Sequence, residues 1–169
     1  MHSDSSFDEI YEGIFPSVYR FVRIRIPGPD VDDVTAEIIT KVWRALPRFD
    51  GRSSLKTWAL RIASNQVVDY YRAQKSVPIL SIDEDLAANS SEADHSEKVT
   101  TSLSISETLA KMPEPQVAVI QLRLIESLSA AETGEILGMT RDAVDSLLYR
   151  AKKSFRRIYA WESAGGDNR

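Results

Sequence analysis

Apolar residues recur every three or four positions through most of this chain, and nowhere do they alternate strictly with polar ones over the length of a strand. The pattern predicts an all-α fold. Phe7, Tyr11, Ile14, Val18 and Phe21 share one face of a first helix, which Pro16 must bend or interrupt and Pro27-Gly28-Pro29 ends. Val31, Val34, Ile38 and Val42 mark a second helix that stops before Pro47. Leu55, Trp58, Ala59, Ile62 and Ala63 mark a third, running to about Arg72. These three are expected to bury a common core. The pattern then lapses: Ser76 to Lys98 is rich in Ser, Ala, Asp and Glu, with Pro78 near its start and few apolar residues, and reads as a linker. Helical periodicity resumes with Leu103, Ile105 and Leu109, breaks at Pro113, and returns through Val117, Ile120 and Leu124 to Ile125. The expected organisation is two small helical domains, over 1–75 and 99–162, joined by a flexible acidic linker over 76–98 and followed by a disordered polar tail over 163–169.

The clearest local signal lies between Ser129 and Arg157. Ser129 and Glu132 have the spacing of a capping box, in which each side chain satisfies a backbone N–H left free at a helix start. That helix ends at Leu137-Gly138. After Met139 another begins, with Thr140 as N-cap and Asp142 favourably placed in the first turn. Helix, short glycine turn, helix is the helix-turn-helix pattern. Val144, Leu148, Ala151 and Phe155 form the buried stripe of its second helix and leave Arg141, Asp145, Ser146, Tyr149, Lys152, Lys153 and Arg156 mostly off it. In such a motif the start of the second helix meets base edges while bases further along hold phosphates. Arg141, Ser146 and Tyr149 are the candidates for reading bases; Arg150, Lys152, Lys153, Arg156 and Arg157 are the candidates for phosphate.

Charge sharpens this picture because it is segregated. The net charge of the 169-residue chain is -4, yet residues 41 to 75 hold eight bases against Asp50 and Asp69, and Arg141 to Arg157 hold six against Asp142 and Asp145. Acid-rich stretches precede and separate these blocks. Two basic blocks imply two contacts with an anion, since binding follows local potential and not the total. The absence of cysteine excludes disulfides, thiol nucleophiles and thiolate metal sites. His2 at the terminus and His95 in the linker are the only histidines, so no catalytic pair or metal cluster forms around them, and no phosphate loop or nucleophile elbow is present. Asp83-Glu84-Asp85 reads as a solvated charge run. No catalytic residue, metal or cofactor is expected. With no apolar run of membrane-spanning length and an acidic N-terminus, the expected location is cytoplasmic, without membrane insertion.

The segment FDGRSSLKTWALRIASN from Phe49 to Asn65, with DVTAEIITKVW from Asp33 to Trp43 before it and Leu128 to Arg157 after the linker, resembles the extracytoplasmic-function (ECF) sigma factors of the sigma-70 family. The resemblance covers nearly the whole chain in order and spacing. It implies two modules, region 2 and region 4, and an alternative sigma factor that directs core RNA polymerase to promoter DNA. The helix from about Asp30 to Leu46 would dock on the coiled coil of the largest polymerase subunit through Asp33, Glu37, Lys41 and Arg44. The loop Phe49 to Leu55 and the next helix would bind and hold open the non-template strand of the -10 element, with Arg52, Ser53, Lys56, Trp58, Arg61, Asn65 and Arg72 as contacts. Region 4 would take the -35 element. An anti-sigma protein clamping both modules is a further implied partner. The residues add their own support: Arg61, Asn65, Asp69 and Arg72 fall on one helix face, where Asn can read a base edge and Arg can hold phosphate. Trp58 can stack on an unpaired base, but its spacing with Leu55 and Ile62 fits a core role better. A flipped base needs a pocket, for which the loop around Arg52 and Ser53 is the candidate.

Several positions depart from the family pattern. Ala36 stands where glutamine is common and Ile39 where an aromatic is common. Thr133-Gly134 replaces a usual Ile-Ala pair, at a cost of about 1 kcal/mol for glycine inside a helix. Asp145 and Leu147 occupy recognition-helix positions often held by Lys and Arg; altered -35 specificity is expected, since a carboxylate repels phosphate yet can accept from cytosine N4. Two other readings remain open: a DNA-binding regulator that never engages polymerase, and a sigma-like protein acting through protein contacts alone. An acidic docking helix followed by a basic, Trp-containing block argues against the first.

Overall fold

The computed structural model describes residues 4–26, 28–74 and 100–163. The linker expected over 76–98, with Asp83, Glu84, Asp85 and His95, as well as His2, Pro27 and the tail beyond Ser163, lie outside the described residues. Every regular element among those residues is helical: α1 (Asp4–Arg25), α2 (Val31–Ala45), α3 (Leu55–Ala73), α4 (Thr100–Ala110), α5 (Glu114–Ile120), α6 (Ala130–Leu137) and α7 (Arg141–Ser163).

The first three helices pack on one another around Ile14, Val18, Phe21, Val31, Val34, Ile38, Val42, Leu60, Ala63 and Val67. Helix α1 runs continuously through Pro16. Proline deprives the Glu12 carbonyl of its helical donor, but both residues are exposed, so water can serve instead. On α3 the buried stripe is rotated from the expected one: Thr57, Leu60, Ser64 and Val67 are buried, whereas Leu55, Trp58 and Ile62 are half-buried. The reason is a second neighbour. Helix α6 also packs on α3, and its Ile136 joins the core of the first three helices, against which Leu55, Trp58 and Ile62 pack.

The second group, α4 to α7, closes around Leu109, Met112, Val117, Val119, Ile120, Val144, Leu147, Leu148 and Ala151. Its periodic reading through Leu124 and Ile125 needs correction. Gln121–Ile125 forms one π-helical turn, closed by the Glu126 N–H donating to the Gln121 carbonyl at 2.9 Å. The extra residue shifts the phase, so Leu122 is fully buried while Leu124 is 51% exposed. The capping box of α6 is present, with the Glu132 N–H donating to Ser129 Oγ at 3.2 Å and the Ser129 N–H donating to the Glu132 carboxylate at 2.8 Å. Gly138, at φ 67°, ends α6 in the left-handed region. Gly134 has a steric reason: a Cβ there would stand 2.5 Å from the Met139 carbonyl oxygen, because the turn folds back over the helix and the Met139 N–H bonds to the Gly134 carbonyl at 2.9 Å.

The two groups are not separate bodies. Leu122, Leu128 and Ile136 of the second pack into the core of the first, and Ile24 of α1 packs against the core of the second. At the centre of the junction the Glu126 side chain has no solvent exposure. It accepts from Ser17 Oγ at 2.8 Å, Arg20 Nε at 2.7 Å and Lys56 Nζ at 2.9 Å, while Lys56 also donates to the Glu126 carbonyl at 3.1 Å. Gln121 Nε2 donates to the Arg20 carbonyl at 2.9 Å. Arg25, fully buried, pairs with Glu114 and lies 4.3 Å over the Phe21 ring. Burial pushes its pKa down to about 9, with Tyr71 opposing the shift, so it stays charged at neutral pH.

Gly134→Ala gains helix propensity but forces backbone to move, and is expected to destabilise by about 1–3 kcal/mol in urea unfolding; an equal or higher midpoint would contradict the close turn. Burial alone would push the Glu126 pKa up, but the hydrogen bonds from Arg20, Lys56 and Ser17 outweigh it and hold it below the ordinary carboxylate value. A depressed folded-state pKa contributes stability above the unfolded value of about 4.3 that is lost as pH falls through the lower folded value. Unfolding at a series of acidic pH values should therefore show a steeper acid decline in the native chain than in Glu126→Gln; identical slopes would contradict the assignment.

Candidate nucleic-acid interface

One basic face is built by α3 and the loop before it. Ser54 caps α3, accepting from the Thr57 N–H at 3.0 Å. Gly51, at φ 72°, lets the loop turn, and Asp50 holds the turn by accepting from the Arg52 N–H at 3.2 Å and from Arg52 Nε at 2.9 Å. The loop and helix enclose a cavity of about 210 Å³ lined by Arg48, Asp50, Arg52, Ser53, Trp58, Arg61 and Glu135. Trp58 is half-buried and tilted against Phe49, ring centres 5.0 Å apart, so it forms a wall of the cavity while also packing on the core. Two of its three guanidinium groups already face carboxylates, Arg52 with Asp50 and Arg61 with Glu135, while the indole offers a planar face. Arg48 and Glu135 were not expected here. Arg48 belongs to the basic block and follows Pro47, which hints at it; Glu135 arrives from α6, and no local pattern points to it.

The remaining candidates on this face differ in their engagement. Asn65 is exposed on α3, and Arg72 lies 3.7 Å from Asp69 one turn back. Arg61 reaches Glu135 Oε1 at 3.4 Å, and Lys56 is held by Glu126. On α2 the candidate docking residues Asp33, Glu37, Lys41 and Arg44 are all exposed. The Gln66 side-chain amide of α3 braces two of them, donating to Glu37 at 2.6 Å and accepting from Lys41.

The other basic face is the outer side of α7. Thr140 caps it, accepting from the Ala143 N–H at 3.2 Å. Arg141, Ser146, Tyr149, Arg150, Lys152, Lys153, Arg156 and Arg157 are exposed, Tyr149 at 71%. No ion pair among the described residues engages the bases of this face. Of the two recognition-helix positions where the family often has Lys or Arg, Asp145 is exposed beside these bases, whereas Leu147 is only 7% exposed and packs in the second core. With Val144, Leu148 and Ala151 it completes the i, i+3, i+4, i+7 stripe, which is wider than the sequence reading drew it. Among the described residues no group of three or more metal-ligating side chains comes together, and no helix is long and apolar enough to cross a membrane.

Comparison with known proteins places both faces in one family. The sigma-70 region 2 family matches residues 10–77, and the sigma-70 region 4 family matches residues 102–155. The chain is 28% identical over 159 residues to the ECF RNA polymerase sigma factor BldN of Streptomyces coelicolor, covering 90% of this chain but only 60% of that protein's length. It is 31% identical over 140 residues to the ECF RNA polymerase sigma-E factor of Escherichia coli, covering 76% of this chain and 73% of that one. Among solved structures, CnrH in complex with the cytosolic domain of CnrY shares the fold with a TM-score of 0.68 at 23% identity, over 93% of this chain and 89% of that one. The sigma factor RpoE in complex with the anti-sigma factor NepR, from Bartonella quintana, does so with a TM-score of 0.70 at 19% identity, over 90% and 96%. With both family regions matched in order, and a sigma-E relative that aligns over most of its length, this chain belongs to the sigma-70 family, in its ECF group.

Proposed function

We propose that this protein is an alternative sigma factor: it binds core RNA polymerase and directs promoter-specific initiation, working in the cytoplasm and without catalytic residues of its own. The observation that carries the reading is the pair of basic faces on two family-matched modules in region 2 to region 4 order. In this account residues 1–75 form region 2, 76–98 tether it, and 99–162 form region 4. Asp33, Glu37, Lys41 and Arg44 on α2 dock on the polymerase. The cavity at Arg52, Ser53 and Trp58 takes an unpaired base of the -10 element, while Lys56, Arg61, Asn65 and Arg72 hold and read the strand beside it. Arg141, Ser146 and Tyr149 meet the -35 bases in the major groove, and Arg150, Lys152, Lys153 and Arg156 hold phosphates. An anti-sigma protein is a fitting further partner, as it is for the Bartonella sigma factor.

Run-off transcription on fragmented genomic DNA with bacterial core polymerase tests the whole reading: adding the protein should create new start sites that share two upstream elements. Absence of new starts beside an active control sigma would contradict it. Finer outcomes follow for α7. Tyr149→Ala or Arg141→Ala should weaken the cognate duplex by about 1–3 kcal/mol and relax the preference at one base pair. Lys153→Gln should weaken all duplexes alike and lower the salt slope by about one unit. Asp145→Lys should raise affinity for a nonspecific duplex in an anisotropy titration; no rise would place Asp145 away from DNA.

A further inference from the structure

Asp33, Glu37, Lys41 and Arg44 stand on the exposed side of α2 at spacings of four, four and three, so they form one stripe along the helix. Its sign runs minus, minus, plus, plus. The sign changes between Glu37 and Lys41, and an acid four residues before a lysine is the favoured arrangement for an ion pair within a helix. Among the described residues, however, no ion pair joins the two. Gln66 of α3 takes both instead: its amide Nε2 donates to Glu37 Oε2 at 2.6 Å, and its Oε1 accepts from Lys41 Nζ. Gln66 is only 9% exposed, held where α3 packs on α2, while the two side chains it grips are exposed. A carboxamide suits this place because it carries a donor and an acceptor on one uncharged group. It engages one oxygen of Glu37 and one N–H of Lys41 and leaves each residue its full charge.

We propose that Gln66 is a positioning residue for polymerase docking: it keeps Glu37 and Lys41 from neutralising each other, so that the stripe presents separate acidic and basic halves to its partner. The inference rests on the reading of α2 as the docking helix. Without the amide, Glu37 and Lys41 close into a pair that must be broken before either meets a charge on the polymerase. With it, two long side chains are already ordered and lose less rotameric freedom on binding. A stripe with opposite signs at its two ends also fits a complementary surface in one direction only, because reversal sets like charges against each other. Gln66 thus acts on docking through the two residues it holds, without touching the partner itself.

A double-mutant cycle tests this. Affinity for immobilised bacterial core RNA polymerase is measured for the native chain, for Gln66→Met, for the pair variant Glu37→Ala with Lys41→Ala, and for all three changes together, with circular dichroism and thermal unfolding as checks on folding. Methionine keeps the length of glutamine and removes both polar groups. Gln66→Met should weaken core binding by about five- to tenfold in the native background. On top of the pair variant it should cost less than about twofold more, since the side chains it positions are gone. Gln66→Glu, which keeps Lys41 but repels Glu37, is the second probe should Gln66→Met fail to fold, and it too should weaken binding. Native affinity in a folded Gln66 variant, while the pair variant binds weakly, overturns the proposal. An equal loss from Gln66→Met in both backgrounds also overturns it, because the amide then acts through general packing. Native affinity in the pair variant overturns the docking reading of these α2 residues and the proposal with it.

Discussion

The arrangement of this molecule depends on one buried carboxylate. Glu126 carries its charge into a position without solvent, and a charge there is tolerated only when several donors converge on it. Ser17 and Arg20 approach from α1 and Lys56 from α3, so a single side chain of the second domain ties two helices of the first. The backbone around it is shaped to that end. The π turn at Gln121–Ile125 brings Glu126 to the junction, and Ser127 then adopts φ 56°, a left-handed conformation unusual outside glycine, which returns the chain inward to Leu128.

Such a junction is strong in one respect and weak in another. Removing one partner from a buried charge costs about 3–5 kcal/mol, because the other is left uncompensated. The ion pairs themselves gain little over being separately hydrated, whereas Leu122, Leu128 and Ile136, buried in the core of the first three helices, supply apolar burial to the same junction.

Much of the fold is legible in the sequence because its signals are local. The Ser129–Glu132 capping box, Gly138 at the end of α6 and the Thr140 cap of α7 each involve residues within a few positions of one another, as do the stripes of α1 and α2. The bases of α7 were legible for the same reason. What the pattern hid depends on contacts distant in sequence. Leu124 and Ile125 fit a helical period that a π turn breaks, and Leu147 widens a stripe only because α4 and α5 pack beside α7. The spacing of Trp58 fits a core role better than a stacking one, and the side chain is half-buried, packed on Phe49 and lining the cavity. Glu135 and Glu126 had no local mark at all: their partners lie 74 and 70 or more residues away, across a stretch that composition identified only as a linker.

The proposed division of labour gives single-stranded DNA to the α3 face and duplex DNA to the α7 face. Site-specific photo-crosslinking tests it most directly, with a photoreactive amino acid placed at Ser53 or at Tyr149 in complexes of the protein, core polymerase and promoter-bearing DNA. Crosslinks are expected from Ser53 to the non-template strand near the start site, and from Tyr149 to duplex further upstream at a constant interval. Crosslinks from both positions to one stretch of DNA, or from neither to any DNA, would contradict it.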